Sequence, residues 1–348
     1  MSTTQDAAAG PSIETLEASL DVTYTWGYQD TRAQLRDLYS KAKRSQWLPE
    51  EVLDFSIDVD LGRPMMPEPL HPLFGSEIYA KLTTGEKDRL NGEMASWTLS
   101  QFLHGEQGAL LAAAQLVTSV PDLDSKLYGA TQVVDEARHV DVYNRYLHEK
   151  IGFSYPVSPH LKTLLDLILT DSRWDMKFLG MQIMVEGLAL AAFALMRQNS
   201  YEPLLRDLTR YVMGDEARHV AYGVLSLRDH YAERSEAERR EREDFVYEAS
   251  VLMRDRFLMQ EVWEKMGLPV ARCTEIALHN KGQVMFRQWL FSKIVPAIKK
   301  IGLLSDRQRE RFQQLGILQF EDAEDPIEAL EKSEAEQAAA ARPAVAAV

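Results

Sequence analysis

Asp135-Glu136-Ala137-Arg138-His139-Val140 recurs eighty residues later as Asp215-Glu216-Ala217-Arg218-His219-Val220. In each copy a histidine follows a glutamate by three residues. At about 100° per residue the two side chains stand about 60° apart on one helix face. A single Glu-x-x-His decorates many solvated helices, but this repeat extends beyond the six-residue word. Thirty residues before each glutamate lies another, Glu106 and Glu186. Both sit in apolar sequence, Gly105-Glu106-Gln107-Gly108-Ala109-Leu110-Leu111-Ala112 and Val185-Glu186-Gly187-Leu188-Ala189-Leu190-Ala191-Ala192. Flanks of this kind are too apolar for a solvated face.

The thirty-residue interval has a geometric meaning. Breaks fall near its middle, at Ser119-Val120-Pro121-Asp122 and at Asn199-Ser200-Tyr201-Glu202-Pro203. Two helices turning back there bring Glu106 level with Glu136, and Glu186 level with Glu216. Two such hairpins packed together form a four-helix bundle with four carboxylates and two imidazoles at its centre. Unpaired, that many buried charges are prohibitive, whereas two iron or manganese ions neutralise and ligate them. The expected ligands, and with the glutamates the catalytic group, are Glu106, Glu136, His139, Glu186, Glu216 and His219.

Measured from Glu136, His139 lies at about −60°, Asp135 at about −100° and Tyr143 at about −20°. Asp135 and Asp215 suit a supporting role, each accepting the outer N–H of the ligating histidine of the other hairpin. Arg138 and Arg218, about 200° from the glutamates, are expected to point away from the metals and receive no chemistry. Tyr143 faces the site, and Gly223 occupies the matching position of the second half. The phenol reads as an oxidisable neighbour or as packing, the glycine as room for substrate or dioxygen or as close helix packing. With Leu110, Leu190 and Phe193 these two residues are the substrate-pocket candidates. His104 lies about 200° from Glu106 and reads as packing or surface. His71, His148, His160, His230 and His279 have no ligand spacing, and the Met residues read as core filling.

Composition is that of a soluble globular protein, and with no strand pattern anywhere in the sequence an all-α fold is expected. Hydrophobic residues make up 45% of the 348 and charged residues 26%, and the formal charge of −14 disfavours nucleic acid or an anionic membrane as partner. Cys273 is the single cysteine, so neither a disulfide framework nor a Cys-held zinc or iron–sulfur centre is expected. No secretory signal is visible at the start, and the apolar stretch at 181–196, interrupted by Gln182 and Glu186, reads as too short for a membrane span. A cytoplasmic location is the plain expectation.

In chain order, residues 1–12 read as disordered, and a helix is expected over 31–46 with Leu35, Leu38, Tyr39 and Ala42 as its apolar stripe. A proline-rich extended stretch runs to 76, lying across the outside of the bundle. Bundle helices are expected at about 84–119, 122–150, 174–198 and 202–231, with a short helix at 159–170. Further helices follow at about 235–265 and 270–301, and an acidic, alanine-rich disordered tail at 321–348. One domain, 13–320, is expected, its metal-binding bundle at about 84–232.

These residues resemble the ribonucleotide-reductase-like branch of the ferritin-like superfamily, which includes multicomponent monooxygenase hydroxylases, acyl-carrier desaturases and arylamine N-oxygenases. The resemblance rests on Glu106, Asp135 to His139, Glu186 and Asp215 to His219 and covers about residues 95–230. The segment Leu38-Tyr39-Ser40-Lys41-Ala42-Lys43-Arg44-Ser45-Gln46-Trp47, with Glu50-Glu51, is similar to the lead-in of these proteins. It implies a di-iron enzyme, manganese or mixed Mn/Fe being alternatives, that activates dioxygen to hydroxylate, N-oxygenate or desaturate a small, mostly apolar organic substrate. A separate electron donor, such as a reductase or ferredoxin, and a homodimer are expected with it. The other readings are a radical-generating subunit using Tyr143 and a bacterioferritin-like iron store.

Overall fold

A computed structural model describes residues 13–29 and 32–332. Among them there is no strand, and every regular element is helical. The expected disorder at 1–12 lies outside the described residues.

Four long helices form the bundle. The first, Thr84–Ser119, begins in a capping box: Thr83 accepts the backbone N–H of Glu86, and the Glu86 carboxylate accepts that of Thr83. This pairing satisfies two of the amide donors that a helix start leaves free. The second, Leu123–Tyr146, starts from an Asp122 cap that accepts Ser125 N–H at 2.8 Å. It runs out through a π-helical turn, Leu147–Ile151, to Gly152 at φ +86, a left-handed position that glycine takes without a Cβ penalty.

The third bundle helix, Trp174–Asn199, is long and apolar enough to cross a membrane by length and composition, yet 83% of its most apolar window is buried. It is longer than the stretch at 181–196 suggests, and it is the core helix that carries Glu186. Its middle is π-helical over Leu179–Val185, ending where Glu186 begins. The fourth, Pro203–Ala232, starts with proline in its first turn and a Glu202 cap on the amides of Leu204 and Leu205. The first and second helices pair as one hairpin, and the third and fourth as the other.

Outside the bundle, helix Ala33–Arg44 packs on the second and fourth bundle helices through Leu35, Leu38 and Ala42. Helix Pro159–Thr170 lies against the first, and the buried Lys177 ammonium donates to its last-turn carbonyls of Ile168 and Leu169, both at 3.1 Å. The helix expected at 235–265 is interrupted. Glu236–Asp255 gives way to a 3-10 turn, Arg256–Leu258, and Met259 at φ 51, before Gln260–Lys265. The helix expected at 270–301 is three shorter ones, Val270–His279, Lys281–Trp289 and Ile294–Lys300. Asn280 breaks the first join by capping Gln283 N–H at 3.1 Å. The tail expected from 321 is packed in its first part: Leu330 is buried and Ile327 lies against the core. Residues 333–348 lie outside the described residues.

Candidate metal centre

All four bundle helices deliver a carboxylate to one buried point. Glu106 comes from the first, Glu136 and His139 from the second, Glu186 from the third, and Glu216 and His219 from the fourth. Two clusters result, Glu106 with Glu136, His139 and Glu216, and Glu136 with Glu186 and His219; within each, one donor atom per residue lies within 4.8 Å of the others. His139 Nδ1 sees carboxylate oxygens of Glu106 at 3.3 Å, Glu136 at 3.4 Å and Glu216 at 3.3 Å. His219 Nδ1 sees Glu136 at 3.1 Å and Glu216 at 3.7 Å. Glu136 and Glu216 therefore each turn one oxygen to either imidazole.

The outer nitrogens cross over. His139 Nε2 meets Asp215 Oδ2 at 3.1 Å, and His219 Nε2 meets Asp135 Oδ2 at 3.4 Å. A histidine held this way has its tautomer chosen, leaving Nδ1 free for a cation. The aspartates are themselves held. Asp135 accepts from Gln46 at 2.8 Å and Arg138 at 2.6 Å, while Asp215 accepts from Trp47 Nε1 at 2.8 Å, Arg138 at 2.9 Å and Arg218. Arg138 also lies over the Trp47 ring, 4.6 Å from its centroid. The arginines thus do not turn away from the centre. They stand about 60° from their aspartates on the helix, a relation visible in the sequence word once angles are measured from the aspartate rather than the glutamate. Gln132, one turn before Glu136, donates to Glu136 at 3.1 Å and Glu186 at 2.7 Å. It has no counterpart in the other half, where Val212 stands, so the repeat could not reveal it.

Burial opposes charge throughout this cluster, and the neighbours decide the outcome. Burial and then the Glu216 charge push the Glu106 carboxyl well up, and burial raises Glu186 likewise. Glu136 is held below the ordinary carboxylate range because His219 and His139 outweigh its burial. Asp215 is lowered against its burial by His139 and the two arginines. Both imidazoles are raised despite burial, His139 by Asp215 and the glutamates and His219 by Glu136. Buried atoms remain without hydrogen-bond partners: Oε2 of Glu136 and Glu186, both Glu216 oxygens, and His219 Nδ1. Orphaned acceptors this dense are expected where cations bind. The residues fit a pair of metal ions.

A family model described as p-aminobenzoate N-oxygenase AurF matches residues 28–302. The chain belongs to the AurF family. No curated protein matches it as a relative. Among solved structures, an R2-like ligand-binding oxidase with aerobically reconstituted metal cofactor after photoconversion is 20% identical, with TM-score 0.52 over 77% of this chain and 93% of that one. A tyrosine-to-phenylalanine mutant of such an oxidase with aerobically reconstituted Mn/Fe cofactor is 20% identical, with TM-score 0.51 over the same shares. The ferritin-like, ribonucleotide-reductase-like fold expected from the repeat is therefore the fold of this AurF-family chain. The protein is a di-metal oxidoreductase of the oxidase and oxygenase kind.

The pocket candidates fare differently. Tyr143 and Phe193 are fully buried with ring centroids 6.1 Å apart, and both pack on Phe102, at 6.1 Å and 4.8 Å. Burial, then Glu106, pushes the Tyr143 phenol well up, and its hydroxyl has no hydrogen-bond partner. Gly223 opens no room for substrate or dioxygen: a Cβ there would fall 2.7 Å from Gln182 Cβ and 3.1 Å from Ile183 Cδ1. It is the close approach of the fourth helix to the π-helical segment of the third. Leu110, Leu190 and these three line neither cavity beside the centre. A small one, about 20 Å³, is lined by Phe102, Glu106, Ala109, Glu186, Leu188 and Glu216, together with Arg256. A second, about 80 Å³ and mainly apolar, shares Phe102 and adds His71, Met196, Phe257, Met259 and Phe286. Both depend on chain outside the repeat, so the repeat could not locate them. His104 Nε2 lies 2.9 Å from the Tyr155 carbonyl, which accepts its N–H, and His104 takes no part in the centre.

Proposed function

We propose that this chain activates dioxygen at two metal ions held by Glu106, Glu136, His139, Glu186, Glu216 and His219, and oxidises the nitrogen of a small aromatic amine. The observation that carries the reading is the convergence of four bundle carboxylates with two crossed His–Asp pairs at one buried point. Bound redox metals supply the electrons and Lewis acidity that dioxygen reduction requires. Two iron ions are the favoured occupants, a mixed Mn/Fe pair the alternative; carboxylate and imidazole donors suit both.

The chain's own residues prepare the site. Asp135 and Asp215 orient the imidazoles, while Arg138, Arg218, Gln46 and Trp47 hold those aspartates in place. Gln132 fixes the orientation of Glu136 and Glu186. Phe102, Ala109 and Leu188 wall the small cavity and exclude water from it. Per turnover, one oxygen atom forms an N–O bond in place of an N–H bond, and the other leaves as water with two protons and two electrons. Those electrons come from a separate reductase or ferredoxin, since the chain has neither a cysteine cluster nor a dinucleotide fingerprint. A homodimer completes the proposed assembly.

The test is turnover of the Fe(II)-reconstituted protein with aromatic amines, using hydrogen peroxide as source of both oxygen and electrons. Products read by mass spectrometry should carry oxygen on nitrogen. Ring or alkyl hydroxylation alone, with nitrogen untouched, would refute N-oxygenation.

A further inference from the structure

His71 is buried, and its Nδ1 accepts the backbone N–H of Leu73 at 3.0 Å. A neutral imidazole whose Nδ1 is an acceptor carries its proton on Nε2. Burial, then the Lys87 charge, lowers the imidazole to about 4, so the neutral form is the one present at neutral pH. Its Nε2–H has no hydrogen-bond partner. The Tyr79 ring lies against the imidazole with centroids 4.4 Å and planes 36° apart, a contact with its face and not with the N–H at its edge. A buried donor left without an acceptor is costly, and native interiors hold few of them.

The imidazole lines the apolar cavity of about 80 Å³ that shares Phe102 with the smaller cavity at the metal centre. Among the described residues no Asp, Glu, Lys or Arg lines it. An ion entering would give up its hydration with no counter-charge in the wall to replace it. Five methionines do line it, Met65, Met66, Met94, Met196 and Met259, and flexible thioether chains adapt to occupants of varied outline. Asn91 and Gln283 each give an N–H to a carbonyl, those of Gly62 and Leu70, and Thr98 carries a hydroxyl. The His71 Nε2–H is the polar atom of this wall that is buried and unpartnered. The volume is smaller than the roughly 150 Å³ that holds benzene in an engineered core, which suits a slim chain better than a ring.

We propose that this cavity is a second ligand site, taking a small uncharged aliphatic molecule whose carbonyl oxygen, of a ketone, aldehyde or ester, accepts the His71 Nε2–H. The site is independent of the amine oxidation proposed above, because neither a metal nor an amine is needed to fill it.

Equilibrium binding of volatile probes to the Zn(II)-loaded protein, read as their loss from the headspace, tests this. Zinc is redox-silent, so no probe is consumed. The probes are 2-pentanone and 2-methyl-1-pentene, which has a CH₂ group in place of the ketone oxygen, with butylammonium as a charged competitor. The wild type should bind the ketone saturably at one per chain, and butylammonium should not displace it. His71→Asn keeps an acceptor for Leu73 and removes the Nε2–H, so the ketone-to-alkene affinity ratio should fall on the order of tenfold. Ala192→Leu puts a larger side chain into the wall and should weaken both probes together. Absence of saturable ketone binding to the wild type overturns the proposal, as does displacement by butylammonium, and these two arms need no variant to fold. An unchanged ratio in His71→Asn overturns it too, as does wild-type ketone affinity in Ala192→Leu, which would put the ligand elsewhere. Zinc content is read on the same samples, so a failure of the di-metal reading shows separately.

Discussion

Asp215 accepts from Trp47, Arg138 and Arg218 and bears on His139, so one carboxylate ties three elements to one imidazole. Asp135→Asn and Asp215→Asn keep the shape but replace an acceptor oxygen with a donor. Each should retain the fold and weaken metal affinity or turnover on the order of 10–100-fold, measured by metal titration. Unchanged affinity in both would show that the aspartates do not act on the imidazoles. Tyr143→Phe keeps the packing on Phe102 and Phe193 and removes a hydroxyl with no partner. Oxidation of amines should persist, and its loss would favour a radical role for the phenol. His71 offers a test in pH. Burial, then Lys87, lowers its imidazole from 6.5 to about 4, and Nδ1 accepts Leu73 N–H at 3.0 Å. Between those pH values the unfolded chain binds more protons than the folded one, so stability falls as pH drops from 6.5 through about 4. His71→Asn keeps an acceptor for Leu73 and removes the titration. Its melting temperature should fall less steeply than the wild type's across that window.

At the scale of elements, the helix Ala33–Arg44 serves the centre by delivering Gln46 and Trp47 onto the two aspartates. Trp47→Phe keeps an aromatic ring beside His139 but removes the Nε1–H donor, and should cost about 1 kcal/mol in denaturant unfolding. A cost near zero would mean Asp215 finds another donor. Gly223→Ala should cost about 1–3 kcal/mol, because its Cβ meets Gln182 and Ile183 of the π-helical segment. The bundle helices were legible because the thirty-residue spacing and the breaks at 119–122 and 199–203 bound them. The π segment at Leu179–Val185 was not, since one widened turn leaves the apolar pattern intact. Nor was the break at Arg256–Met259, where neither glycine nor proline marks the turn. The cavities were hidden with it, because chain from 64 to 72 and from 256 to 286 shapes their walls.

For the whole molecule, the centre was legible because carboxylates and imidazoles repeated twofold in apolar helices cannot stay buried without cations to share. What surrounds it was not, since the flanking helices follow no repeat. Four glutamates in a nearly dry interior should make the fold depend on its metals. Chelation should lower the melting temperature of the loaded protein, and metal in excess should restore it by mass action. The most direct measurement is metal content after reconstitution with Fe(II). The account predicts about two iron ions per chain in the wild type and loss of most of them in Glu136→Ala and Glu216→Ala. Fewer than about one iron per chain in the wild type, with the fold intact, would contradict it.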